Sequence, residues 1–186
     1  QGRVSLLSST GMRMTLIDGL PAAIDNEGGV SGPTGIAVDG STIYLAIGEG
    51  DAVRSNSDGV ALPNPAGVAG PLFSSVLQVE LSAGPDNTLS GFVIASAAFQ
   101  VLADGYAVEL GNADGETATV SVLTDFPAFI PDPDAPYRAS NPWGLAMSPR
   151  FPGVLFLNDA SQDALFQIDR ETGRAQRFLR FPKLAN

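Results

Sequence analysis

Two stretches of this sequence repeat each other, and the repetition constrains the fold more than any other feature. The phrase SGPTGIAV begins at Ser31, and its counterpart SNPWGLAM begins at Ser140. Each is followed by a turn and an apolar strand, STIYLAIGE in the first case and PGVLFLNDA in the second. A second match aligns VSLLSSTGMRMTL with FQIDRETGRAQRF, so that Gly11 and Gly173 both supply the positive φ of a hairpin turn. Repetition of this kind predicts an array of similar structural units.

The later copy predicts one whole unit over residues 140–182. Its apolar stretches and turns predict four short strands, at 143–147, 154–158, 164–169 and 175–180. Four meandering strands in about 40 to 45 residues is the size of a propeller blade. The 21 Gly and 14 Pro among 186 residues also favour many short strands over long helices.

The rest of the chain fits the same unit with additions. Residues 1–22 are predicted to form the outer hairpin of a blade, and 31–127 a blade with insertions at 51–72 and 84–116. We therefore predict a single all-β domain over the whole chain. It would be a partial β-propeller of four-stranded antiparallel blades, about two and a half in number.

The second insertion carries one short predicted helix. Ser96 is predicted to cap a helix from Ala97 to Ala103, with Gly105 just beyond its end. The segment NADG, from Asn112 to Gly115, is predicted to turn a hairpin.

The order of these segments resembles a known family. GPTGIAVDG and IYLAIGEGDA are followed by GPLFSSVLQVEL, by LADGYAVELGNADGETATVSVLTDFPAF, and by SNPWGLA with LFLNDASQDALFQIDRETG. This series is similar to the β-propeller proteins named for the scytonemin gene cluster, the ScyD/ScyE family, over nearly the whole chain. The resemblance implies a six-bladed, NHL-like or lactonase-like propeller that is exported, to the extracellular space or the periplasm.

Members of that family carry a further N-terminal portion before the hairpin with which this sequence begins. A partial ring leaves the faces of its end blades uncovered, because each blade packs on two neighbours. We therefore expect a fragment or processed part of a longer chain, or a chain that covers its open ends with other copies or with the missing part of the propeller.

Composition argues against several classes of function. The 20 acidic and 10 basic residues give a formal charge of −10, which repels the phosphates of nucleic acids and anionic lipids. The chain has no Cys and no His, so disulfides, thiolate chemistry, Cys/His zinc sites and imidazole-dependent triads are excluded. Its apolar runs are too short to span a bilayer, so no membrane insertion is expected.

The residues that open the innermost strands are the candidates for ligand binding. The resemblance implies that these strands face a central channel and that ligands sit at one mouth of it. Thr34, Asn141 and Trp143 hold the matching positions. The single tryptophan offers a surface for stacking a flat or sugar-like ligand, and the alternative is that it fills the channel wall or packs between blades.

Because the sequence has no Cys and no His, its metal ligands would be side-chain oxygens, and Ca²⁺ is the metal that this composition permits. The candidates follow the second strands of the two units, and lactonase-type propellers draw such ligands from different blades. The alternative is that the acids support Asx-turns and solvate loops. The candidate ligands are Glu49, Asp51, Asn158, Asp159 and Asp163, with Asp25, Glu27, Asp132 and Asp134 as further acids in loops.

These observations leave three hypotheses of function. The absence of His, Cys and any dense polar group favours an exported, non-catalytic propeller module for recognition or assembly, with no cofactor and an unknown small-molecule ligand. The second is a Ca²⁺-dependent, lactonase-like or dehydrogenase-like propeller enzyme. The third is a structural subunit whose open ends pair into an extracellular fibre or layer.

Overall fold

The structure is a computed structural model that describes residues 1–24, 28–58, 60–128, 130–132 and 135–182. It is all-β, and one α-helix is found among these residues. The strands are β1 (Gly2–Leu7), β2 (Arg13–Leu20), β3 (Ala23–Ile24), β4 (Val30–Ser31), β5 (Pro33–Asp39), β6 (Thr42–Ile47), β7 (Val53–Ser55), β8 (Ala61–Pro63), β9 (Ser75–Leu81), β10 (Phe92–Val93), β11 (Val108–Gly111), β12 (Thr117–Asp125), β13 (Ile130–Asp132), β14 (Ala135–Arg138), β15 (Pro142–Met147), β16 (Val154–Asp159), β17 (Ala164–Asp169) and β18 (Ala175–Arg180). The helix is α1 (Ala98–Ala103), and a 3-10 turn spans Pro85–Asn87.

The last sheet is an antiparallel meander in the order β15-β16-β17-β18. Its strands confirm the four predicted between residues 143 and 180, with bounds that differ by at most one residue. The side chains of β16 alternate between the two faces of the sheet. Leu155 and Leu157 are buried on one face, and Phe156 points to the other. Gly173, with a φ of 70°, closes the turn between β17 and β18.

The central sheet has the order β11-β12-β9-β6-β5, and four strands had been predicted for this unit. The fifth strand, β11, comes from the predicted second insertion and lies at the outer edge of the sheet. The NADG turn joins β11 to β12, as predicted, and Asn112 Oδ1 accepts hydrogen bonds from the amides of Asp114 and Glu116. Val108 and Leu110 of the added strand pack against the core, which explains why it pairs.

The first sheet consists of the hairpin β1-β2 and of β10, which pairs in parallel with β2. The second insertion therefore reaches back to the start of the chain. Helix α1 follows, with Leu102 fully buried. Ala97 rather than Ser96 precedes its first residue, and no side-chain cap is formed, so the predicted capping role of Ser96 was wrong.

The three sheets stack in chain order around two cores. The first core lies between the first and central sheets, where Leu16 and Ile17 meet Leu45 and Leu77. The second lies between the central and last sheets, where Tyr44 belongs to the same cluster as Leu155, Leu157 and Phe166. We call the side of a sheet that points to the next sheet in the chain its forward face, and the opposite side its rear face. The remaining described strands form three short two-stranded sheets, β3-β4, β7-β8 and β13-β14. None of the sheets among the described residues closes on itself.

Each of the three outer strand pairs contains a β-bulge at the same place. The register shifts by one residue beside Leu16 in β1-β2, beside Leu123 in β9-β12 and beside Phe178 in β17-β18. Because the shift is shared, it fixes which residues are equivalent, so that Val4, Val76 and Leu165 occupy one position. Leu16 packs on the central sheet and Leu123 on the last sheet, so the bulged residue belongs to the forward face.

The innermost strands also share a bulge. Thr34 is the extra residue where β5 pairs with β6, and Trp143 is the extra residue where β15 pairs with β16. The repeated phrase therefore has one backbone form in both units. Gly35 is equivalent to Gly144, and Ile36 is equivalent to Leu145.

Candidate functional site

The innermost strands of the central and last sheets meet where the ligand candidates lie. Thr34 Oγ1 donates a hydrogen bond to the carbonyl oxygen of Pro142 at 2.7 Å. A Cβ on Gly35 would stand 2.6 Å from the carbonyl oxygen of Trp143 and 3.0 Å from Cα of Gly144. The absence of a side chain at Gly35 therefore lets β5 approach β15.

Small polar residues complete this junction. Ser74, in the left-handed region with a φ of 59°, donates from Oγ to the carbonyl oxygen of Ser140 at 2.9 Å and from its amide to that of Gly48 at 2.7 Å. A Cβ on Gly48 would lie 3.2 Å from Asn141 Oδ1 and 3.3 Å from Thr34 Cγ2. Thr34 and Asn141, two of the predicted ligand residues, thus lie beside the same glycine.

Trp143 stands at the bulge of β15 and is 54% exposed. It is therefore not buried between sheets, and the indole is open to solvent. Asn158 covers the adjacent backbone, because its Oδ1 lies 2.5 Å from where a Cβ of Gly144 would stand.

Asp159 is held within its own turn. Its Oδ1 accepts hydrogen bonds from the amides of Asn141, Ser161 and Gln162 at 3.0 to 3.1 Å, and its Oδ2 accepts from Gln162 Nε2 at 2.9 Å. The residue is 2% exposed. Gln162 Nε2 also reaches Ser140 Oγ at 3.2 Å, so this carboxylate ties the end of β16 to the start of β15.

The predicted acidic ligands of the two units are not equivalent in the structure. Asn158 and Asp159 are the last residues of β16, and the strand register matches them to Ala46 and Ile47 rather than to Glu49 and Asp51. The turn before β16 is longer than the turn before β6, so equal distance from the repeated phrase does not make two residues equivalent.

The other acids shape loops. Asp51 has a φ of 60°, and the buried Asn64 donates from Nδ2 to its carbonyl oxygen at 2.8 Å and to its Oδ2 at 2.7 Å. Glu49 is partly buried in the segment before it, and Asp163, with a φ of 49°, ends the turn before β17. Across the described part of the chain, no three Asp, Glu, His or Cys residues cluster so as to hold a metal ion. The further acids Asp25, Glu27 and Asp134, and the side chain of Asp132, lie outside what the structure describes.

One polar contact between sheets was missed in the sequence. Arg170, in the turn after β17, donates from Nε to the hydroxyl of Tyr44 at 2.9 Å and pairs with Asp39. The hydrogen bond to Tyr44, followed by that to Asp39, raises the pKa of the guanidinium. The DRETG segment signalled a turn, but no pattern indicated which strand that turn would contact.

Two apolar surfaces are open. The first is a cleft of about 280 Å³ between β1 and β5, lined by Arg3, Val4, Ser5, Pro33, Thr34, Gly35, Ile36 and Leu45. The second is the forward face of the last sheet, where Phe156 contacts both Phe151 and Phe178 edge to face, at centroid distances of 5.7 and 6.2 Å. Exposed apolar groups in contiguous patches of this kind mark interaction sites.

No helix among the described residues is long and apolar enough to cross a membrane. Comparison with protein-family models, with curated proteins and with solved structures finds no match to this chain.

Proposed function

We propose that this chain is part of a β-propeller of the ScyD/ScyE type and that it works outside the cytoplasm as a non-catalytic module for assembly. The stacked sheets support the propeller, since each packs its forward face on the rear face of the next with the same bulges and register.

The observation that carries the assembly role is the forward face of the last sheet. Phe178 is 58% exposed, whereas the equivalent Leu16 and Leu123 pack against a following sheet. Phe156 is likewise equivalent to Tyr44, which is buried against the last sheet. This face therefore has the apolar residues of an inter-sheet contact, and removing them from water would favour association against its entropic cost.

The partner that we assign to this face is a second copy of the chain, meeting it through the same face about a two-fold axis. The rear face of the first sheet is a poor alternative because Arg13 and Ser5 hydrogen-bond to each other there, on exposed side chains. An isologous contact instead brings the Phe156–Phe178 surfaces of two copies together.

The bonding of the acids supports the non-catalytic assignment. The Asp159 carboxylate is engaged by three amides and one side-chain amide, and the Asp51 carboxylate by Asn64. Both carboxylates stabilise turns, which is the structural alternative to metal binding for these acids.

Light scattering across a concentration series tests the proposal. We expect the 19.2 kDa chain to form dimers, and Phe178→Ser to weaken the dimer about tenfold or more. Leu7→Ser is the control, because Leu7 on the first sheet is more exposed than Phe178, at 68%, and lies outside this face. A wild-type chain that stays monomeric at high concentration, or a dimer that Phe178→Ser leaves intact, would overturn the assignment.

A further inference from the structure

The last sheet differs from the other two at its outer edge. In the first sheet β10 lies beside β2, and in the central sheet β11 lies beside β12. Their counterpart β18 pairs with β17 alone among the strands that the structure describes. The last sheet already has its four-stranded meander, so this edge is not a gap left by a strand of the repeated unit. It presents main-chain donors and acceptors to a partner.

The hydrogen bonding of the turn before β18 determines which main-chain groups point outward. The amide of Asp169 donates to the carbonyl oxygen of Arg174 at 3.0 Å, so Arg174 bonds inward, to the end of β17. Residues of an antiparallel pair alternate between bonded and non-bonded positions. The main-chain groups of Ala175 and Arg177 therefore point away from β17, to the outer edge of the sheet.

This edge is basic in a chain that is otherwise acidic. Five of the 10 basic residues follow Asp169, together with a single acid, Glu171, whereas the chain up to Asp169 has five basic residues and 19 acids. Arg174 and Arg177 are exposed, and neither guanidinium has a hydrogen-bond or ion-pair partner among the described residues. The edge of β18 thus combines free main-chain groups with two uncompensated positive charges.

The two arginines lie on opposite faces of the sheet. Arg177 pairs with Phe166, which belongs to the core on the rear face. Arg174 lines a pocket with Gln167 and Gln176, on the forward face. A strand laid along the edge would therefore meet one arginine on each face, three residues apart.

We propose that the outer edge of β18 is a docking site for an extended acidic segment of another protein, which adds to the sheet as a strand. Main-chain hydrogen bonds to Ala175 and Arg177 hold the segment, and carboxylates opposite Arg174 and Arg177 make the site selective. The segment carries two acids three residues apart, one for each face, among β-branched residues that favour an extended backbone. The proposal does not depend on the dimer, whose contact is the forward face around Phe156 and Phe178.

The combination of edge and charge argues against other occupants. A nucleic acid or an anionic lipid could neutralise the arginines, but it has no peptide groups to pair with the edge, and the net charge of −10 repels it. A second copy that paired antiparallel through its own β18, centred on Arg177, would place the two Arg177 side chains opposite each other and Arg174 opposite Arg180. Like charges directly opposite each other destabilise a strand pair.

A designed peptide, TVEVTEVT, whose two glutamates are three residues apart, is the probe. We expect saturable binding to the full chain by calorimetry, weakened by added salt, with new hydrogen-exchange protection at the amides of Ala175 and Arg177. The same peptide with both glutamates replaced by glutamine should bind about tenfold more weakly, because two exposed ion pairs are lost. A form that keeps both glutamates but is N-methylated along its main chain should not bind, because it has no amide hydrogens to donate to the edge.

Charge reversal on the protein tests the same site. Arg177→Glu should weaken binding of the peptide about tenfold, because an attraction becomes a repulsion. Arg150→Glu is the matched control: it reverses another exposed arginine of the last sheet, in the turn before β16, and should bind as the wild type does. Because Arg177 lies on the rear face, Arg177→Glu should still form the dimer that Phe178→Ser weakens, so failure of this proposal is distinguishable from failure of the dimer.

Four results would overturn the proposal. The first is no binding of the peptide, and the second is equal binding of its N-methylated form. The third is protection of β11 rather than β18, or displacement of the peptide by a single-stranded oligonucleotide. The fourth is protection of Ala175 and Arg177 that rises with protein concentration in the absence of peptide, since a second copy would then occupy the edge.

Discussion

The guanidinium of Arg170 lies over the ring of Tyr44, with its central carbon 5.1 Å from the ring centroid. The same group donates to the Tyr44 hydroxyl and pairs with Asp39, so the turn after β17 is fastened to β5 and β6 of the preceding sheet. Such a contact combines a cation–π interaction with a charge-assisted hydrogen bond at a half-buried site.

Replacing Arg170 should loosen the junction of the central and last sheets. We expect Arg170→Ala to lower the free energy of unfolding by about 1–2 kcal/mol. A double-mutant cycle with Tyr44→Phe, followed by urea unfolding, should give a coupling energy of about 0.5–1 kcal/mol. Arg174→Ala, in the same turn and exposed, should change stability by less than about 0.5 kcal/mol. If the effects of Arg170→Ala and Tyr44→Phe on stability were additive, the contact between the two residues would not contribute as described.

A methyl group at Gly35 should force the inner strands apart. Its Cβ would clash with the carbonyl oxygen of Trp143 at 2.6 Å, and backbone on both sides limits relaxation. We expect Gly35→Ala to cost about 1–3 kcal/mol in denaturant unfolding. Gly111→Ala is the control, since that strand glycine has open space around it and no positive φ, and it should be neutral or stabilising. If Gly35→Ala and Gly111→Ala had equal effects, the close approach of β5 to β15 would not be the cause of the destabilisation.

Neutralising Asp159 should destabilise the last sheet. In Asp159→Asn the amide nitrogen cannot accept the bond from Gln162 Nε2, and the three backbone donors lose their charged acceptor. We expect a loss of about 2–3 kcal/mol, measured by urea unfolding. Asp114→Asn, in an exposed turn, should have little effect. If added Ca²⁺ stabilised the wild type but not Asp159→Asn, the residue would be a metal ligand instead.

The turn between β17 and β18 should weaken in acid. Hydrogen bonds from the amide and the hydroxyl of Thr172 lower the pKa of Asp169. A lowered pKa in the folded state means that the ionised carboxylate stabilises the turn above the ordinary carboxyl pKa of about 4, and that this stabilisation is lost as the pH falls through the folded value.

Melting temperatures measured from about pH 7 down to about pH 3 test this effect. The wild type should exceed Asp169→Asn at the upper end, and the gap should narrow in acid. Glu171→Gln removes a carboxylate from the same exposed turn and is measured beside it as the control. A constant difference between Asp169→Asn and the wild type would contradict the assignment.

Local pattern was sufficient to predict much of the last sheet. Alternating apolar residues around Leu155 and Leu157, with glycine at the tight turn of Gly173, specify strands and turns within a few residues of sequence. The hairpin turn at Asn112 was equally local, because that side chain bonds to amides two and four residues away.

Contacts made at long range escaped prediction. The pairing of β10 with β2 depends on where an insertion travels, which periodicity does not encode. Strand pairing, which the sequence does not show, determines the register, and it matches Asn158 to Ala46 rather than to Glu49. The Arg170–Tyr44 contact joins residues that are distant in the chain, and the ligand candidates Thr34 and Asn141 were brought together by packing that the repeat suggested but did not specify.

The pairing of β10 with β2 also governs the order in which the chain can fold during synthesis. The hairpin β1-β2 is made before β10, so Ile17 pairs with Val4 at once and gains its parallel partner Phe92 only later. The strands β6 and β9, which share a core with the hairpin, precede β10 in the chain. The hairpin can therefore pack on the central sheet before β10 pairs with β2. Strand pairing over such a distance in sequence slows folding and leaves apolar strands exposed for longer. A ribosome translating this message would therefore leave the outer edge of β2 without its strand partner until the segment that contains Phe92 had been made.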